Sequence, residues 1–571
     1  MSRFKAWAVV ALLALQSLSI LISTPASAAD PFQAVRPGEP RKGWNFREAA
    51  LIPVQSGGRV KPLDTFAREI LLFQTGSRFF KGWDPVDYLF SVMTMPEAWE
   101  GREFISISRG DVKRQIGLEE TRSRFTPREL FAESHLAQYL NEVETSRPPQ
   151  AANVVGSKPK EDPREKELKA TVERLVLFRR LSSGDAWPVV PGAEPDAMWQ
   201  SLAAPSEAAR PIREAFAKMA VAYLADQPEA FAQASKEARA LVESRVVGAE
   251  ASQSAQLKAE LFYNRSHPFL WAWVLYLTGA VFWGFRVFSN RALFGQVALG
   301  ATVAGMLSHA GGFLLRCYVA GRPPVTNMYE SIIWVSFGVL VFAFILYRTQ
   351  RQAILMATAC ALGTLGMVAA DSAPAMMDPG IHPLVPVLRS NYWLTIHVLT
   401  ITISYAAFAL AMGLGNVGLW QFIRGQKGYM AKVENLNHLM YRAQQFGVVL
   451  LAAGTILGGV WADYSWGRFW GWDPKEVWAL IALLNYLAIL HGRYTQWVGQ
   501  FGFAMWSVLA FMGVVMAWYG VNFVLGVGLH SYGFSTGGRG TVAVACLVQI
   551  FYCVFAAIRH RQLRQAKKSS A

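Results

Sequence analysis

Long apolar stretches alternate with short polar segments in the second half of the chain, whereas the first half shows no such pattern. From about residue 268 onward each apolar stretch is long enough to cross a bilayer, for which roughly 20 apolar residues suffice. Their number predicts nine membrane spans. The predicted spans cover residues 268–287, 292–314, 329–348, 353–370, 393–421, 443–463, 478–496, 501–522 and 541–558.

The residues before 268 have the pattern of an exported soluble domain. The first 29 residues combine a basic start, an apolar run and a small-residue end, which predicts a signal peptide or, alternatively, a first membrane anchor. Either one exports residues 30–267. For this domain the sequence predicts a helix over residues 66–73 capped by Thr65, a polar loop over residues 144–168 and a helical pattern over residues 204–261.

Charge then orients the predicted spans. Of the 571 residues, 53% are hydrophobic and 17% are charged, and the formal net charge is +15. Basic residues concentrate after the odd-numbered spans and at the C-terminus, so the positive-inside rule places these segments in the cytoplasm of a bacterium. The exported domain and the loop between spans 6 and 7 then lie outside the inner membrane. No basic patch carries a nucleic-acid recognition motif, so we expect no nucleic-acid partner.

The predicted fold class is therefore an all-α polytopic membrane protein with about nine transmembrane helices, preceded by a mainly helical exported soluble domain. Its predicted parts are residues 1–29, 30–267 and 268–571. The four cysteines form no CxxC or CxxCH motif, which argues against a c-type cytochrome or a thioredoxin-like reductant. Cys546 and Cys553 are seven residues apart in one apolar span, and we expect these two to be small buried hydrophobes. The other two are Cys317 and Cys360.

An unusual concentration of tryptophan marks the loop between spans 6 and 7, residues 461–478. Interfacial anchoring explains one or two tryptophans there, but the segment has five, interleaved with charged residues. Indole faces stack on a flat apolar ligand, and cations meet carboxylates at its edge, so haem suits this composition. Gly467 and Gly471 would let the backbone approach it closely. The candidate haem contacts are Trp461, Trp466, Trp470, Trp472, Trp478, Arg468 and Asp473.

The string from Trp466 to Glu476 resembles the WWD signature of haem-handling proteins in cytochrome c biogenesis. It is most similar to the CcsA (ResC) family of system II, and CcmC and CcmF of system I share the signature. Segments 321–331, 393–408 and 522–534 also favour CcsA. The resemblance covers roughly residues 295–560, so it says little about the exported domain.

Topology sorts the histidines into candidate haem ligands. His397, near the outer end of span 5, and His530, in the outer loop after span 8, can both meet the tryptophan segment, and neutral imidazole is a common axial ligand of haem iron. The resemblance implies that these two ligate haem b, carried as cargo, on the outer side. It also implies that His491 in span 7 serves an inner haem site, whose second ligand comes from a separate CcsB (ResB)-like partner.

Several polar residues near the outer face are weaker candidates. His309 in span 2 is a candidate ligand, relay or structural group, and we expect it close to the charged residues that follow it. Four basic residues there could contact the haem propionates or, equally, could be solvated charges at the membrane interface. The candidate propionate contacts are Arg316, Arg322, Arg468 and Lys475.

The resemblance implies a subunit of a cytochrome c synthase, or haem lyase, that presents haem to the CxxCH motif of apocytochrome c. Membrane lipid and thiol-reducing proteins are further expected partners. One alternative is a system I-type haem chaperone, which would hand haem to a separate carrier. A b-type electron-transfer protein would need histidine pairs on facing helices, and a solute transporter would suggest internal repeats.

Overall fold

The computed structural model describes most of the chain between Gly38 and Ser569. The predicted signal peptide and His530 lie outside the described residues. Residues 40–571 form one compact unit. The described residues are 38–132, 136, 162–194, 197–246, 251–289, 291–372, 377–383, 391–426, 428–526 and 538–569.

Among the described residues, nine helices are long and apolar enough to cross a membrane, which confirms the predicted fold class. The chain is thus an integral membrane protein. The nine spans, numbered 1 to 9, are Gln253–Phe288, Ala292–Ala320, Met328–Gln350, Ala353–Ser372, Thr395–Arg424, Tyr429–Trp466, Pro474–Tyr494, Gln500–Leu525 and Arg539–Ala566.

Some spans depart from regular single helices. Span 1 joins helices Ala251–Ser266 and Pro268–Phe288 at His267, whose φ of 47° lies in the left-handed region. Proline at residue 268 disfavours α geometry in the residue before it, which explains a break at this point. Span 8 combines helices Gln500–Leu509 and Phe511–Val515 with a π-helix, Met516–Leu525. The helix of span 5 begins at Asn391 and that of span 9 ends at Ser569.

Consecutive spans run in opposite directions and pack into one bundle with a shared apolar core. Span 5 packs on spans 3, 6 and 8, and span 1 packs on spans 2 and 4. The alternation brings residues 321–327, 377–383 and 467–473 to the same end of the bundle. We call this the tryptophan end.

Residues 46–261 build a separate apolar core. One antiparallel hairpin and one further antiparallel strand pair accompany the helices: the hairpin joins Pro53–Ser56 with Arg59–Pro62, and the pair joins Ile105–Ser106 with Arg124–Phe125. The helices are Arg47–Ala50, Leu63–Thr75, Pro85–Thr94, Glu97–Glu100, Gly110–Gln115, Pro127–Ala132, Pro163–Ser182, Arg210–Leu224, Pro228–Glu243 and the first part of span 1.

Two local predictions for this region need correction, the cap at Thr65 and the end of the polar loop. The helix predicted after Thr65 is present but begins earlier, at Leu63, with Pro62 as its N-cap, and Thr65 bonds a distant glutamate. Residues 144–161 of the predicted loop lie outside the described residues, whereas its last part is helical from Pro163, where Asp162 accepts a hydrogen bond from the Arg164 N–H and supplies the cap.

The hairpin Pro53–Pro62 ties the N-terminal region to the tryptophan end. The Arg59 guanidinium binds both carboxylate oxygens of Glu260 in span 1, at 2.6 and 2.8 Å. It also donates from Nε to the Ile381 carbonyl oxygen at 2.7 Å. Thr65 donates to Glu260 at 2.8 Å, and Asn264 donates to Thr65 at 2.8 Å. A two-pronged, largely buried ion pair of this kind fixes orientation as well as distance.

Candidate haem site at the tryptophan end

His397 lies in the second turn of the span 5 helix and points at span 6. Its Nδ1 is 2.8 Å from the carbonyl oxygen of Gly454. Because a carbonyl oxygen only accepts, Nδ1 carries the proton of this bond. In the neutral ring the lone pair is then on Nε2. This is the tautomer in which histidines are held for binding a metal, with the other nitrogen anchored on a backbone carbonyl.

Two glycines in span 6 make room for this ring. A Cβ atom on Gly458 would lie 2.6 Å from Cε1 of His397, and one on Gly454 would lie 2.8 Å from the Cα atom of Ile401. Any side chain at either position would therefore push spans 5 and 6 apart. Gly454 and Gly458 are four residues apart, the spacing that lets membrane helices approach closely.

One tryptophan stacks on the His397 ring, and two others pack on that tryptophan. The ring of Trp461 lies 6.0 Å from the His397 ring, nearly parallel at 21°, and the Trp466 ring lies 5.0 Å from Trp461. Trp393 packs on the same buried Trp461. The structure therefore brings together a histidine from span 5 and the first two tryptophans of the segment.

The other loop tryptophans lie farther along the segment. Trp470 and Trp472 are perpendicular, with ring centroids 5.9 Å apart. Trp472 is 71% exposed and has a φ of +57°. That conformation costs a bulky residue about 1–3 kcal/mol and persists where the surroundings enforce it, frequently at functional sites. Trp478 lies in the second turn of span 7 and is half-buried.

A capping box holds this loop in place. The Asp473 carboxylate accepts from the Lys475 N–H at 3.1 Å, and Glu476 accepts from the N–H groups of Gly471 and Asp473 at 2.8 and 3.1 Å. These bonds satisfy N–H groups at the start of span 7. Asp473 thus has a structural role, in addition to the haem contact expected from the sequence.

The two loop glycines also have local roles. Gly467 ends span 6 with a φ of 69°, in the left-handed conformation that favours glycine. The Arg468 side chain lies directly over Gly471, so a Cβ there would overlap its guanidinium. Arg468 therefore packs across the loop. Lys475 donates to Asn522 in span 8 at 3.4 Å.

The π-helix of span 8 contacts the start of span 3, where the segment 321–331 ends. Trp518 donates from Nε1 to the Ser331 hydroxyl at 2.9 Å, which joins span 8 to span 3. π-Helical turns recur at functional sites. The π-helix ends at Leu525, and the expected ligand His530 falls in the segment outside the described residues, so its pairing with His397 stays a prediction.

His491 lies at the opposite end of the bundle from His397. It is in the last turn of span 7, and its Nδ1 donates to the Leu487 carbonyl oxygen at 2.8 Å. Its side chain is exposed on the surface of the chain. The structure therefore separates His491 from the tryptophan segment, and its role at a second haem site stays a prediction.

His309 lies inside the bundle, fully buried, and away from the tryptophan segment. Its Nδ1 is 3.1 Å from the Tyr276 hydroxyl, and its ring stacks on Phe313 at 5.2 Å. Phe269 and Phe337 pack on it edge-on. These contacts favour the structural role among the alternatives for His309.

Arg316 and Arg322 have partners other than a propionate. Arg316 binds Glu330 at 2.6 Å, with both side chains 1% exposed, and Arg322 lies 3.4 Å from the same carboxylate. Arg316 also donates to the Pro379 carbonyl oxygen, and Arg322 to that of His382. This buried cluster fastens residues 377–383 to spans 2 and 3, and the expected propionate contacts of Arg316 and Arg322 stay predictions.

The span 6 residues that contact His397 were not identified from the sequence. Gly454 and Gly458 carry a usable signal, since glycines four residues apart in an apolar span indicate close helix packing. Trp393, Asn522 and Ser331 lie in the segments 393–408, 522–534 and 321–331 that carried the resemblance, but no pattern there indicates their individual contacts. Their roles depend on which helices become neighbours.

Fold and site together define a class: an integral membrane protein with a histidine-and-tryptophan site at one end of its helix bundle. The profile of the family described as "Cytochrome C assembly protein" matches residues 325–530. CcsA of Parasynechococcus marenigrum is 34% identical over 284 residues, which are 44% of this chain and 91% of that protein. The chain therefore belongs to the cytochrome c assembly protein family, as the WWD resemblance indicated.

Two further proteins are similar over other lengths. Protein NrfI of Wolinella succinogenes is 30% identical over 514 residues, which are 84% of this chain and 54% of NrfI. The chain thus spans about half the length of NrfI. The solved structure of the cytochrome c haem lyase CcmF covers 53% of this chain and 51% of its own, with 14% identity and a TM-score of 0.38.

Proposed function

We propose that this protein acts in cytochrome c maturation by holding haem at the tryptophan end of the bundle, with His397 as an axial ligand. The observation that carries the proposal is the geometry of His397. Its Nδ1–H is fixed on the Gly454 carbonyl oxygen, and its ring stacks on Trp461, which in turn packs on Trp466. The proposal assigns Nε2, the nitrogen left with the lone pair, to the haem iron, and the indole rings to the flat macrocycle.

In this proposal haem is cargo and the chain supplies binding and orientation. An apocytochrome c would bring CxxCH to the exposed loop, where Trp472 projects outward. Its two thiols would add across the vinyl groups of haem, each S–H hydrogen passing to a vinyl carbon, and its histidine would replace one axial ligand. The covalent chemistry belongs to haem and the thiols, whereas the protein fixes their approach. His530 is the proposed second axial ligand.

We also propose that His491 serves a separate haem site at the other end of the bundle. Its exposed position in the last turn of span 7 leaves its ring accessible to another chain. A second ligand would come from a membrane partner of the CcsB type. The proposed orientation places the tryptophan end outside the bacterial inner membrane and the C-terminus in the cytoplasm.

The test of the outer site is spectral. Protein purified from haem-replete cells should show a six-coordinate haem spectrum. His397→Gly should lower its haem content or change its ligation, and added imidazole should restore the spectrum. His438→Gly is the matched control, because His438 is an exposed histidine of span 6, near the end of the bundle opposite the tryptophan segment. Equal haem content and identical spectra in both variants would contradict the proposal.

A further inference from the structure

The loop between helices Leu63–Thr75 and Pro85–Thr94 carries an exposed aromatic ring. Phe79 is 70% exposed, whereas Phe80 and Trp83 of the same loop are 3% and 6% exposed. Both buried rings pack near Trp99 in the core of the N-terminal region. The loop is therefore anchored through its neighbours, and Phe79 is the apolar side chain that it turns outward.

Hydrogen bonds within the loop fix this direction. The Ser77 hydroxyl donates to the Phe79 carbonyl oxygen at 2.7 Å, and the Phe79 N–H lies 3.3 Å from the Ser77 hydroxyl. The Trp83 N–H donates to the Phe80 carbonyl oxygen at 2.9 Å. The hydrogen-bonded turn therefore fixes the Phe79 ring in its exposed position.

Two contacts locate the Phe79 loop relative to the ends of the membrane spans. The Phe79 ring centroid lies 6.2 Å from that of His267, the residue directly before Pro268 and the apolar part of span 1. The preceding residue, Arg78, forms an ion pair with Asp371, the next-to-last residue of span 4. Phe79 thus lies at the height where spans 1 and 4 leave the apolar region.

We propose that this loop is a membrane-surface anchor in which Phe79 inserts into the interfacial zone of the adjacent lipid leaflet. Aromatic rings prefer this zone, and Trp271, 53% exposed in the first turn after Pro268, marks the same level. The exposed Lys81 ammonium is two residues away and would meet lipid phosphates. A single ring between two basic residues fits a lipid surface better than a protein partner, which would need a larger patch.

The anchor would attach the N-terminal region to lipid, in addition to its ion pairs Arg59–Glu260 and Arg78–Asp371. Its orientation would then depend on the lipid surface as well as on the bundle. The inference does not require haem binding at the tryptophan end, so it stands or falls separately from the proposed function.

The experiment places a fluorescent probe at residue 79. Cys317 and Cys546, the two partly exposed cysteines, are first replaced by serine. Phe79→Cys is then labelled with bimane in full-length protein reconstituted into phosphatidylcholine–phosphatidylglycerol nanodiscs. Val221→Cys, at a 67% exposed position on helix Arg210–Leu224, is the matched control.

The expected result is a blue-shifted emission at residue 79 and a loss of fluorescence when the lipids carry a doxyl group near the headgroup. The residue 221 label should instead be quenched by aqueous iodide. Lys81→Cys provides a second probe position in the same loop, should the residue 79 variant fold poorly. Iodide quenching at residues 79 and 81 as strong as at residue 221, with no effect of doxyl lipids, would overturn the anchor.

Discussion

At the scale of single residues, the position of the His397 ring depends on a glycine, Gly458, which has no side chain to displace it. Gly458 faces the His397 ring so closely that a methyl group would lie 2.6 Å from Cε1. Gly458→Ala should therefore displace the ring from the Gly454 carbonyl oxygen. We expect haem occupancy to fall by about 10-fold, the lower range for losing the hydrogen-bond partner of a metal-binding histidine. Haem content per purified protein measures this.

The control for this variant is Gly300→Ala. Gly300 is exposed in span 2, and a Cβ there meets nothing within 4 Å. This variant should keep its haem. If Gly458→Ala also keeps full occupancy and an unchanged spectrum, the His397 ring is not held as described.

Variants of Asp473 can distinguish its structural role as a helix N-cap from its expected role as a haem contact. As an N-cap it needs a side-chain oxygen, which asparagine also supplies, whereas a charge contact with haem needs the carboxylate. The observed bond to the Lys475 N–H predicts near-normal thermal stability for Asp473→Asn and a loss of about 1 kcal/mol for Asp473→Ala. Haem titration of Asp473→Asn then isolates the charge. Weaker haem binding at unchanged stability would show that Asp473 does both.

At the scale of elements, the spans were predictable because bilayer thickness sets their length. Span 6 begins at Tyr429 instead of near residue 443, because its first turns are polar and still helical. Hydropathy detects only the apolar part. The bond between His397 and Gly454 was not predictable, since it depends on which spans pack together. The Arg316–Glu330 pair shows the same limit, because charge near an interface does not reveal its partner.

The helix Pro85–Thr94 contains a pH-sensitive contact. Asp87 accepts from the Tyr223 hydroxyl at 2.6 Å and from the Arg41 N–H at 2.7 Å, yet burial raises its pKa from 3.8 to about 6. The folded state therefore holds the Asp87 proton more tightly than the unfolded state does. The resulting stability is complete below about 3.8 and is lost as pH rises through about 6.

Asp87→Asn should remove this pH dependence. Between about pH 5 and about pH 8 the wild-type carboxyl loses roughly 1 kcal/mol of stabilisation, whereas an amide does not titrate. Thermal unfolding at the two pH values should therefore differ less in the variant. Asp185→Asn, at an exposed position, is the control and should keep the wild-type difference. The same pH difference in all three proteins would exclude Asp87 as its source.

At the scale of the whole molecule, Glu260 is one of the residues that attach the N-terminal region to the bundle, together with Asp371 and the Ile381 carbonyl oxygen. The Glu260 carboxylate is 3% exposed and accepts hydrogen bonds from both terminal nitrogens of the Arg59 guanidinium and from the Thr65 hydroxyl. Glu260→Ala would leave the Arg59 charge largely buried without its partner, which costs roughly 3–5 kcal/mol in comparable pairs. Local opening should then become easier, and amide hydrogen exchange should rise in the hairpin Pro53–Pro62.

A double variant shows whether the pair itself is responsible. Arg59→Ala with Glu260→Ala should open the hairpin less than the sum of the two single changes, because the first substitution already removes the interaction that the second would break. Exchange in helix Arg210–Leu224, which makes no bond to this pair among the described contacts, serves as the internal reference. Additive effects would mean that Arg59 and Glu260 act independently. Sub-additive effects would establish that Arg59 and Glu260 act as one joint, which holds the hairpin at the end of the bundle where His397 and the tryptophans lie.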